Sequence, residues 1–272
     1  MIKKTVVAIC YDFDKTLACN DMQSFAFIPN MNMSESEFWQ ECDLFSKKNG
    51  TDSTLSYLKV MIDESKSRGI KMTREYLQQC GKPIKLFEGV TTWFKRVNQF
   101  AEEHNIELEH YIISSGNKEI LEGSSIYNEF KGVYGCEYLY DNEGIAYWPK
   151  TIVNYTLKTQ YLFRICKGTI DLTNDEQVNQ RIEKKHVEFR NMIYIGDGIT
   201  DIPCMTLVKE KGGTAISVYP KGQKEKALQL LQDNRVNYAV KSDFKSNSEL
   251  ENLIKIIIQS IELQEKLRDM QE

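Results

Sequence analysis

The sequence predicts an α/β fold with a Rossmann-like parallel sheet and an inserted helical segment. Two apolar runs, residues 6–11 and 192–195, predict the sheet, and both end in carboxylates. Strands this apolar suit a parallel sheet that is buried on both faces, and its carboxyl edge is where open α/β sheets bind ligands. After Leu17 the composition becomes polar and rich in methionine and helix signals until about residue 82, which predicts the insertion.

The first strand ends at Asp12 and Asp14, and Thr16 follows. A carboxylate beside a divalent cation can attack phosphorus, and a second carboxyl group can protonate the leaving oxygen. Magnesium prefers oxygen ligands and would relieve the repulsion between the two acids. A strand that ends in a polar turn is the alternative reading, because Asp-x-Asp-x-Thr also recurs by chance.

Three helices are expected in the insertion, which we place at residues 20–82, between core segments 1–19 and 83–272. A capping box at Ser34 and Glu37 starts the first helix. An apolar stripe marks the second, and Thr73 opens a third that ends near Gly81 and Pro83. The stripe consists of Leu55, Leu58, Met61 and Ile62.

Four residues of the insertion are either core residues or candidates for contact with a substrate. Phe38 and Trp39 suit the insertion's own core. Asp21 and Phe25 lie nearer the first strand and are the candidates for facing a substrate.

A third apolar strand ends in Ser114, Ser115 and Gly116, ahead of a predicted helix. The Ser114 hydroxyl can donate to a phosphate oxygen. The next backbone amides are expected at a helix amino terminus, where the dipole favours an anion. Ser-Ser-Gly is also ordinary loop composition.

The strand near residue 195 ends in a loop that carries Asp197 and Asp201. The glycines on both sides of Asp197 allow a sharp turn and a close approach to an ion. Asp-Gly is also a common turn dipeptide. A turn alone does not explain why a second buried strand ends in carboxylates, so we expect the acids of both strands to converge.

The other segments carry no chemical signal. Residues 137–148 suit a hairpin around Asp141 to Gly144, and residues 214–218 suit a further strand. Residues 250–267 suit an amphipathic helix that either closes the fold or presents a partner-binding face.

Composition limits the function classes. The net charge of -4 disfavours nucleic acid as a partner. No stretch near eighteen apolar residues occurs and the amino terminus lacks a signal peptide, so we expect a cytoplasmic protein without a membrane partner. Seven scattered cysteines suggest reduced thiols rather than a disulfide framework or zinc site.

The order of these motifs resembles the haloacid dehalogenase superfamily, in its phosphoserine phosphatase-like branch, over nearly the whole chain. The resemblance implies a haloacid dehalogenase fold in which the insertion is a helical cap over the active site. It also implies that Asp12 is the nucleophile, that Asp14 is the general acid and base, and that Ser114 binds phosphate.

The resemblance further implies a magnesium site. The ion would be bound by the Asp12 carboxylate, the Asp14 backbone carbonyl and Asp197, with Asp201 at or just outside this shell. The family's phosphate-site lysine could be Lys150, Lys158 or Lys167. We favour Lys158, because the apolar spacing after it suits a helix that packs on the sheet.

The expected function is therefore a magnesium-dependent phosphatase that hydrolyses a small phosphorylated metabolite through an aspartyl phosphate. A phosphotransferase or phosphomutase would use the same residues, and an inactive binding module is a third possibility. The motifs identify neither the substrate nor the oligomeric state.

Overall fold

The structure is a computed structural model that describes residues 4–169, 171–181 and 185–271. These residues form a seven-stranded sheet in the order β4-β3-β2-β1-β5-β6-β7. Every neighbouring pair is parallel except β3 and β4, which are antiparallel. The strands are β1 (Thr5–Tyr11), β2 (Ile106–Asn117), β3 (Gly132–Tyr140), β4 (Ala146–Thr151), β5 (Met192–Gly196), β6 (Thr214–Tyr219) and β7 (Tyr238–Lys241).

The helices connect the strands and cover the sheet. They are α1 (Phe27–Asn30), α2 (Glu35–Asn49), α3 (Ser53–Ser67), α4 (Arg74–Gly81), α5 (Val90–Glu103), α6 (Lys118–Glu122), α7 (Tyr155–Lys167), α8 (Asp175–Asn179), α9 (Ile202–Glu210), α10 (Lys224–Gln232) and α11 (Glu249–Asp269). The predicted α/β fold with a mostly parallel sheet is confirmed.

β1 lies at the centre of the sheet, between β2 and β5. Its residues Val7 to Tyr11 have no solvent exposure, as expected for an apolar strand with neighbours on both sides and helices on both faces. Tyr11 is paired with Ile112 of β2 and with Ile195 of β5. The carboxyl ends of these three strands therefore lie side by side.

Helices α1 to α4 lie between β1 and α5, where the sequence predicted three helices; α2, α3 and α4 are those three, and the short α1 is additional. The Ser34 and Glu37 capping box is present at the start of α2, and Thr73 caps α4, which ends at Gly81. Both predictions of these helix ends are confirmed. The division of the chain into a core of residues 1–19 and 83–272 and a cap of residues 20–82 remains a prediction.

The two segments that connect the insertion to the rest of the protein lie side by side. The Cys19 amide donates to the Lys85 carbonyl at 2.9 Å, and the Phe87 amide donates to the Leu17 carbonyl at 2.9 Å. Ala18 and Leu86 form an antiparallel bridge between these bonds. The two connecting segments therefore form a short paired neck.

Strands β3 and β4 form the predicted hairpin, which also contacts the insertion. The Ala146 amide donates to the Met72 carbonyl at 2.9 Å. The Tyr138 hydroxyl donates to the Leu58 carbonyl, also at 2.9 Å. The hairpin therefore holds the insertion through contacts that are separate from its neck.

A second contact between insertion and core joins α4 to α6. Gly81 and Gly123 lie at this contact, where a Cβ on Gly123 would fall 1.8 Å from the Gln78 carbonyl oxygen. Only a residue without a side chain allows the two backbones to approach this closely. Arg74 adds an ion pair, in which its Nη1 donates to both carboxylate oxygens of Glu122 at 2.8 and 2.7 Å.

The remaining sequence predictions concern the carboxyl-terminal third. The strand predicted at residues 214–218 is β6, and the helix predicted at residues 250–267 is α11, so both are confirmed. Within the described ranges, no helix is both long enough and apolar enough to cross a membrane. All seven cysteines are free thiols.

Candidate active site

The carboxyl ends of β1, β2 and β5 bring together the three sequence motifs. Asp12 follows β1 directly, Ser114 lies near the end of β2, and Asp197 follows β5. The Asp12 amide donates to the Ile195 carbonyl at 2.9 Å, which fixes the first loop against β5. The predicted convergence of acids from two strands is therefore present in the structure.

Lys158 lies beneath this edge of the sheet and is fully buried. Its Nζ donates to Asp12 Oδ1 at 2.9 Å and to Asp201 Oδ1 at 2.7 Å. The helix predicted after Lys158 is α7, and the lysine lies in its first turn. The two carboxylates raise the pKa of Lys158 above its ordinary value in spite of burial, so the ammonium stays charged.

The other two candidate lysines lie elsewhere. Lys150 Nζ is half exposed and donates to Glu137 at 3.4 Å. Lys167 Nζ donates to the backbone carbonyls of Val178 and Gln180 at 2.6 and 2.7 Å. Lys158 is thus the lysine that the fold brings to Asp12.

Three carboxylates crowd the site, because ligand oxygens of Asp12, Asp197 and Asp201 lie within 4.8 Å of one another. Burial, followed by repulsion from Asp201, raises the pKa of Asp12 to about 7, although Lys158 opposes the shift. Burial, followed by repulsion from Asp12, raises the pKa of Asp197 to about 8. The site therefore holds more negative charge than its single buried lysine offsets.

The residues present fit a magnesium ion. Asp201 is already engaged, because its Oδ1 accepts from Lys158 and from the Tyr194 hydroxyl at 2.7 Å. Its Oδ2 accepts from the Gly198 amide at 3.3 Å. By contrast, no donor among the described residues contacts the Asp197 carboxylate. Asp12 and Asp197 therefore offer the hard oxygen ligands that magnesium prefers.

Asp14 lies two residues after Asp12 and lines the same cavity. Its Oδ1 accepts from the Met22 amide at 2.8 Å. Burial, followed by repulsion from Asp21 and Asp12, raises the pKa of Asp14 well above its ordinary value. This environment shifts the equilibrium of the Asp14 carboxyl group toward its protonated form, which is the form that can donate a proton.

Asp21, one of the two predicted substrate contacts, lines the cavity and accepts from Lys15 Nζ at 2.7 Å. Lys15 has a left-handed backbone, with a φ of 57°. This conformation costs a residue that carries a side chain some strain. Phe25, the other predicted contact, packs against the hydrophobic core, and the structure does not place it among the lining residues.

The Ser114 loop differs from its prediction. β2 continues to Asn117 and α6 starts only at Lys118, so the Ser115 and Gly116 amides do not lie at a helix amino terminus. Moreover, the Gly116 amide donates to Ser114 Oγ at 2.9 Å. Because that bond uses the oxygen as an acceptor, the Ser114 hydroxyl proton stays available for a ligand.

The glycines around Asp197 have different roles. A Cβ on Gly196 would lie 2.6 Å from Asp201 Oδ2, so Gly196 makes room for that carboxylate. A Cβ on Gly198 would meet nothing within 4 Å, and the backbone there is extended. The space beside Gly198 is therefore open, and the close approach of both glycines to an ion stays a prediction.

A cavity of about 350 Å³ opens over these residues, between the insertion and the edge of the sheet. Trp39 lines it and also packs edge-to-face on Phe38, with ring centroids 5.1 Å apart. The prediction that Trp39 serves only the core of the insertion is therefore wrong, whereas Phe38 is fully buried as expected. The lining residues that sequence patterns did not single out are Lys15, Gln23, Cys42, Asp43, Ser53, Thr54, Tyr57, Ile199, Thr200 and Lys226.

Two tyrosines also support the site without a signal in the sequence. Tyr194 lies within the apolar run of β5 and has the pattern of a core residue, but its hydroxyl holds Asp201. The Tyr57 hydroxyl donates to the Ser115 carbonyl at 2.6 Å and joins α3 to the Ser114 loop. Hydrogen bonds from buried tyrosines depend on tertiary packing, which no local pattern shows.

No protein-family model matches the sequence. The chain is similar to an uncharacterized protein of Borreliella burgdorferi. The two are 25% identical over 281 residues, which cover 93% of this chain and 96% of that protein.

Several solved structures share the fold. A HAD family hydrolase from Salmonella enterica serovar Typhi matches with a TM-score of 0.58 and 17% identity, over 92% of this chain and 70% of that one. A phosphoserine phosphatase, solved as a phospho-aspartyl intermediate analogue, matches with a TM-score of 0.55 and 14% identity, over 93% and 99%. Cytosolic 5'-nucleotidase IIIB bound to cytidine matches with a TM-score of 0.52 and 13% identity, over 96% and 87%. The chain therefore has the haloacid dehalogenase fold, of the phosphoserine phosphatase-like type.

Proposed function

We propose that this protein is a magnesium-dependent phosphatase that hydrolyses a small phosphomonoester. One observation carries the proposal: Asp12, held by the buried Lys158, shares a cavity with Asp14, whose environment favours the protonated form. A nucleophile and a proton donor that lie two residues apart form the pair that aspartyl-phosphate chemistry needs.

Two steps follow from this arrangement. An Asp12 oxygen forms a bond to phosphorus while the bond to the ester oxygen breaks, and Asp14 gives its proton to the departing alcohol. The ionised Asp14 then accepts a proton from a water molecule. The water oxygen bonds to phosphorus, the bond between Asp12 and phosphorus breaks, and inorganic phosphate leaves.

Negative charge on the transferring phosphoryl group needs donors that are already in place. The Ser114 hydroxyl and the Lys158 ammonium supply them. Asp201, which accepts from the Tyr194 hydroxyl, holds the lysine in position. Magnesium, held by Asp12, Asp197 and the Asp14 backbone carbonyl, would supply further neutralisation of that charge. Removing one such preorganised donor costs on the order of a hundredfold in rate.

The size of the substrate is limited by the insertion, which closes one side of the cavity. A volume of about 350 Å³ admits a small phosphorylated molecule and excludes a folded protein. The structural neighbours are consistent with this class, since they include a phosphoserine phosphatase and a 5'-nucleotidase.

The test is phosphate release from a panel of small phosphomonoesters, with magnesium and then with a chelator. We expect release by the wild type with magnesium only and no release by Asp12→Asn, which keeps the fold but lacks the nucleophile. Asp63→Asn is the matched control, because it removes a carboxylate from the insertion outside this cavity.

Two results would contradict the proposal. Wild-type rates for Asp12→Asn would exclude Asp12 as the nucleophile. Consumption of the ester without phosphate release, in the presence of an acceptor alcohol, would identify a phosphotransferase instead.

A further inference from the structure

We infer that two copies of this chain associate through the exposed face of α11, so that the protein forms a two-fold dimer joined by a pair of α11 helices. The surface that carries the inference is a row of apolar side chains, which we call the α11 stripe. It consists of Ile256, Leu263, Leu267 and Met270. These residues do not line the catalytic cavity, so the dimer does not depend on the proposed function.

α11 has two apolar faces, and folding uses one of them. The first face is buried where the helix packs against α5 and β7, and its residues are Leu250, Ile254, Ile257, Ile258 and Ile261. A helix that closes a fold needs one such face, with polar residues on the opposite side. On α11 the opposite side carries the α11 stripe instead of a fully polar surface.

The four side chains of the α11 stripe are 60 to 84% exposed. Leu44 of α2 is exposed to a similar degree, at 59%, but no second large apolar side chain of α2 is exposed beside it. Single exposed apolar residues are ordinary in proteins, whereas several that share one surface mark an interaction site. The α11 stripe therefore has the character of an interface.

The spacing of the α11 stripe indicates what kind of surface covers it. Residues 256, 260, 263, 267 and 270 follow one another at intervals of four, three, four and three. This heptad spacing keeps a seam of side chains in line with a second helix that packs along the first. Ser260 occupies the middle of the seam with a small side chain. The partner surface is therefore a helix.

The residues beside the α11 stripe favour a second copy of the chain over a different protein. In helix pairs, charges at the flanking positions select an unlike partner. Here the flanking side chains include the uncharged Gln259, Gln264 and Gln271. Lys266 also lies beside the stripe, but its ammonium donates to Glu262 of the same helix. Two identical stripes can therefore meet without opposing like charges, as a two-fold interface requires.

The acidic residues of this part of α11 are bound within the chain. His104 Nδ1 lies 2.6 Å from Glu262 Oε2. Arg190 Nε donates to Glu265 Oε1 at 3.0 Å. These contacts hold the carboxyl-terminal half of α11 on the core, so the α11 stripe is in place before a partner binds. Such preorganisation lowers the entropy cost of association.

Sedimentation velocity over a range of protein concentrations tests the dimer. We expect a monomer–dimer equilibrium with a dissociation constant on the order of 10 µM, because one pair of helices is a small interface. Leu263→Glu places a charge in the seam and should weaken the dimer at least about a hundredfold. Leu44→Glu is the matched control, since it makes the same change at a leucine of equal exposure, and it should leave the equilibrium unchanged.

A gain of affinity provides the second test. Ser260→Leu completes the apolar seam and should tighten the dimer about tenfold or more. Because Ser260 and Leu263 are both exposed in the single chain, neither variant disturbs the core, and thermal unfolding at low concentration verifies this. Unchanged or weaker association of Ser260→Leu would overturn the inference, as would equal dissociation constants for Leu263→Glu and Leu44→Glu.

The remaining outcomes name other occupants of the α11 stripe. Wild-type protein that stays monomeric at every concentration would overturn the dimer. If that monomer co-sediments with phosphatidylglycerol vesicles and Leu263→Glu does not, the stripe binds a lipid surface. If it binds no vesicles, the stripe belongs to a helix of a different protein.

Discussion

Lys158 donates to two carboxylates from a position that water does not reach, so its loss would leave Asp12 and Asp201 facing each other without a cation. Breaking a buried ion pair by removing one partner costs about 3–5 kcal/mol, because the remaining charge stays uncompensated. The same loss removes a donor from the phosphoryl group. Stability and catalysis therefore depend on one side chain.

Lys158→Met tests this dependence, with Lys150→Met as the matched control. We expect Lys158→Met to lower phosphate release by at least about a hundredfold and to lower the free energy of unfolding. Lys150 is half exposed and lies outside the cavity, so its replacement should change both quantities little. Ester hydrolysis and urea unfolding measure the two effects, and equal losses in the two variants would contradict the assignment of Lys158.

A chain of polar groups joins α5 to the central strands. Trp93 Nε1 donates to the Tyr11 hydroxyl at 2.9 Å, and that hydroxyl donates to His110 Nδ1 at 3.0 Å. His110 Nε2 then donates to Asn98 Oδ1 at 2.8 Å. A neutral imidazole that is protonated at Nε2 satisfies all of these bonds. Burial accordingly lowers the pKa of His110 from 6.5 to about 3.

The depressed pKa of His110 makes the stability of the fold pH-dependent. Below about pH 6.5 the unfolded chain binds a proton at this histidine, whereas the folded chain does not. The free energy of unfolding therefore decreases as the pH falls toward 3. We expect this group to cost roughly 2–3 kcal/mol between pH 6.5 and 4.5. Urea unfolding of the wild type and of His110→Gln, which does not titrate, measures it. A variant that loses as much stability as the wild type over this range would disprove the role of His110.

The contact between α4 and α6 depends on glycine. A Cβ at position 123 would overlap the backbone of Gln78, which cannot move without shifting α4. We expect Gly123→Ala to lower the free energy of unfolding by about 1–3 kcal/mol, as overpacking does. Gly198→Ala, where a Cβ meets open space, should leave it unchanged. Thermal unfolding compares the two, and an unaffected Gly123→Ala protein would show that α4 and α6 do not pack this closely.

Over the whole molecule, the thiols differ sharply in accessibility. Cys19 is exposed and the other six cysteines are buried. We expect a thiol reagent such as DTNB to titrate about one group in the native protein, none in Cys19→Ser, and all seven thiols of the wild type after denaturation. More than one fast-reacting thiol in the native wild type would show that the packing around the buried cysteines opens readily.

Sequence patterns predicted the sheet and the helices of the insertion, because apolar runs, caps and turn residues act locally. They also predicted which motifs meet, since β1, β2 and β5 end at the same edge. Lys158 was the favoured one of three candidate lysines, and the packing of α7 brings it, and not Lys150 or Lys167, to Asp12.

The cavity wall could not be predicted in the same way. Trp39 and Tyr57 have the spacing of core residues on their helices. The sequence does not show which face of each helix packs toward the carboxyl edge of the sheet. Gln23 and Lys226 lie far apart along the chain and line one cavity only through tertiary packing. The helix predicted after Gly116 is α6, but β2 continues to Asn117, so the Ser115 and Gly116 amides precede the first turn of that helix.

The paired neck formed by residues 17–19 and 85–87 has a consequence for how such a protein can diversify. The two ends of the insertion are hydrogen-bonded to each other. A change in the length or sequence of the insertion therefore need not displace β1 or α5. The residues of the insertion that line the cavity can then be exchanged as one module, while Asp12 stays at the end of β1. A chimaera that carries another insertion on this neck, together with a matching hairpin, should keep the hydrolytic chemistry and take the donor's substrate preference.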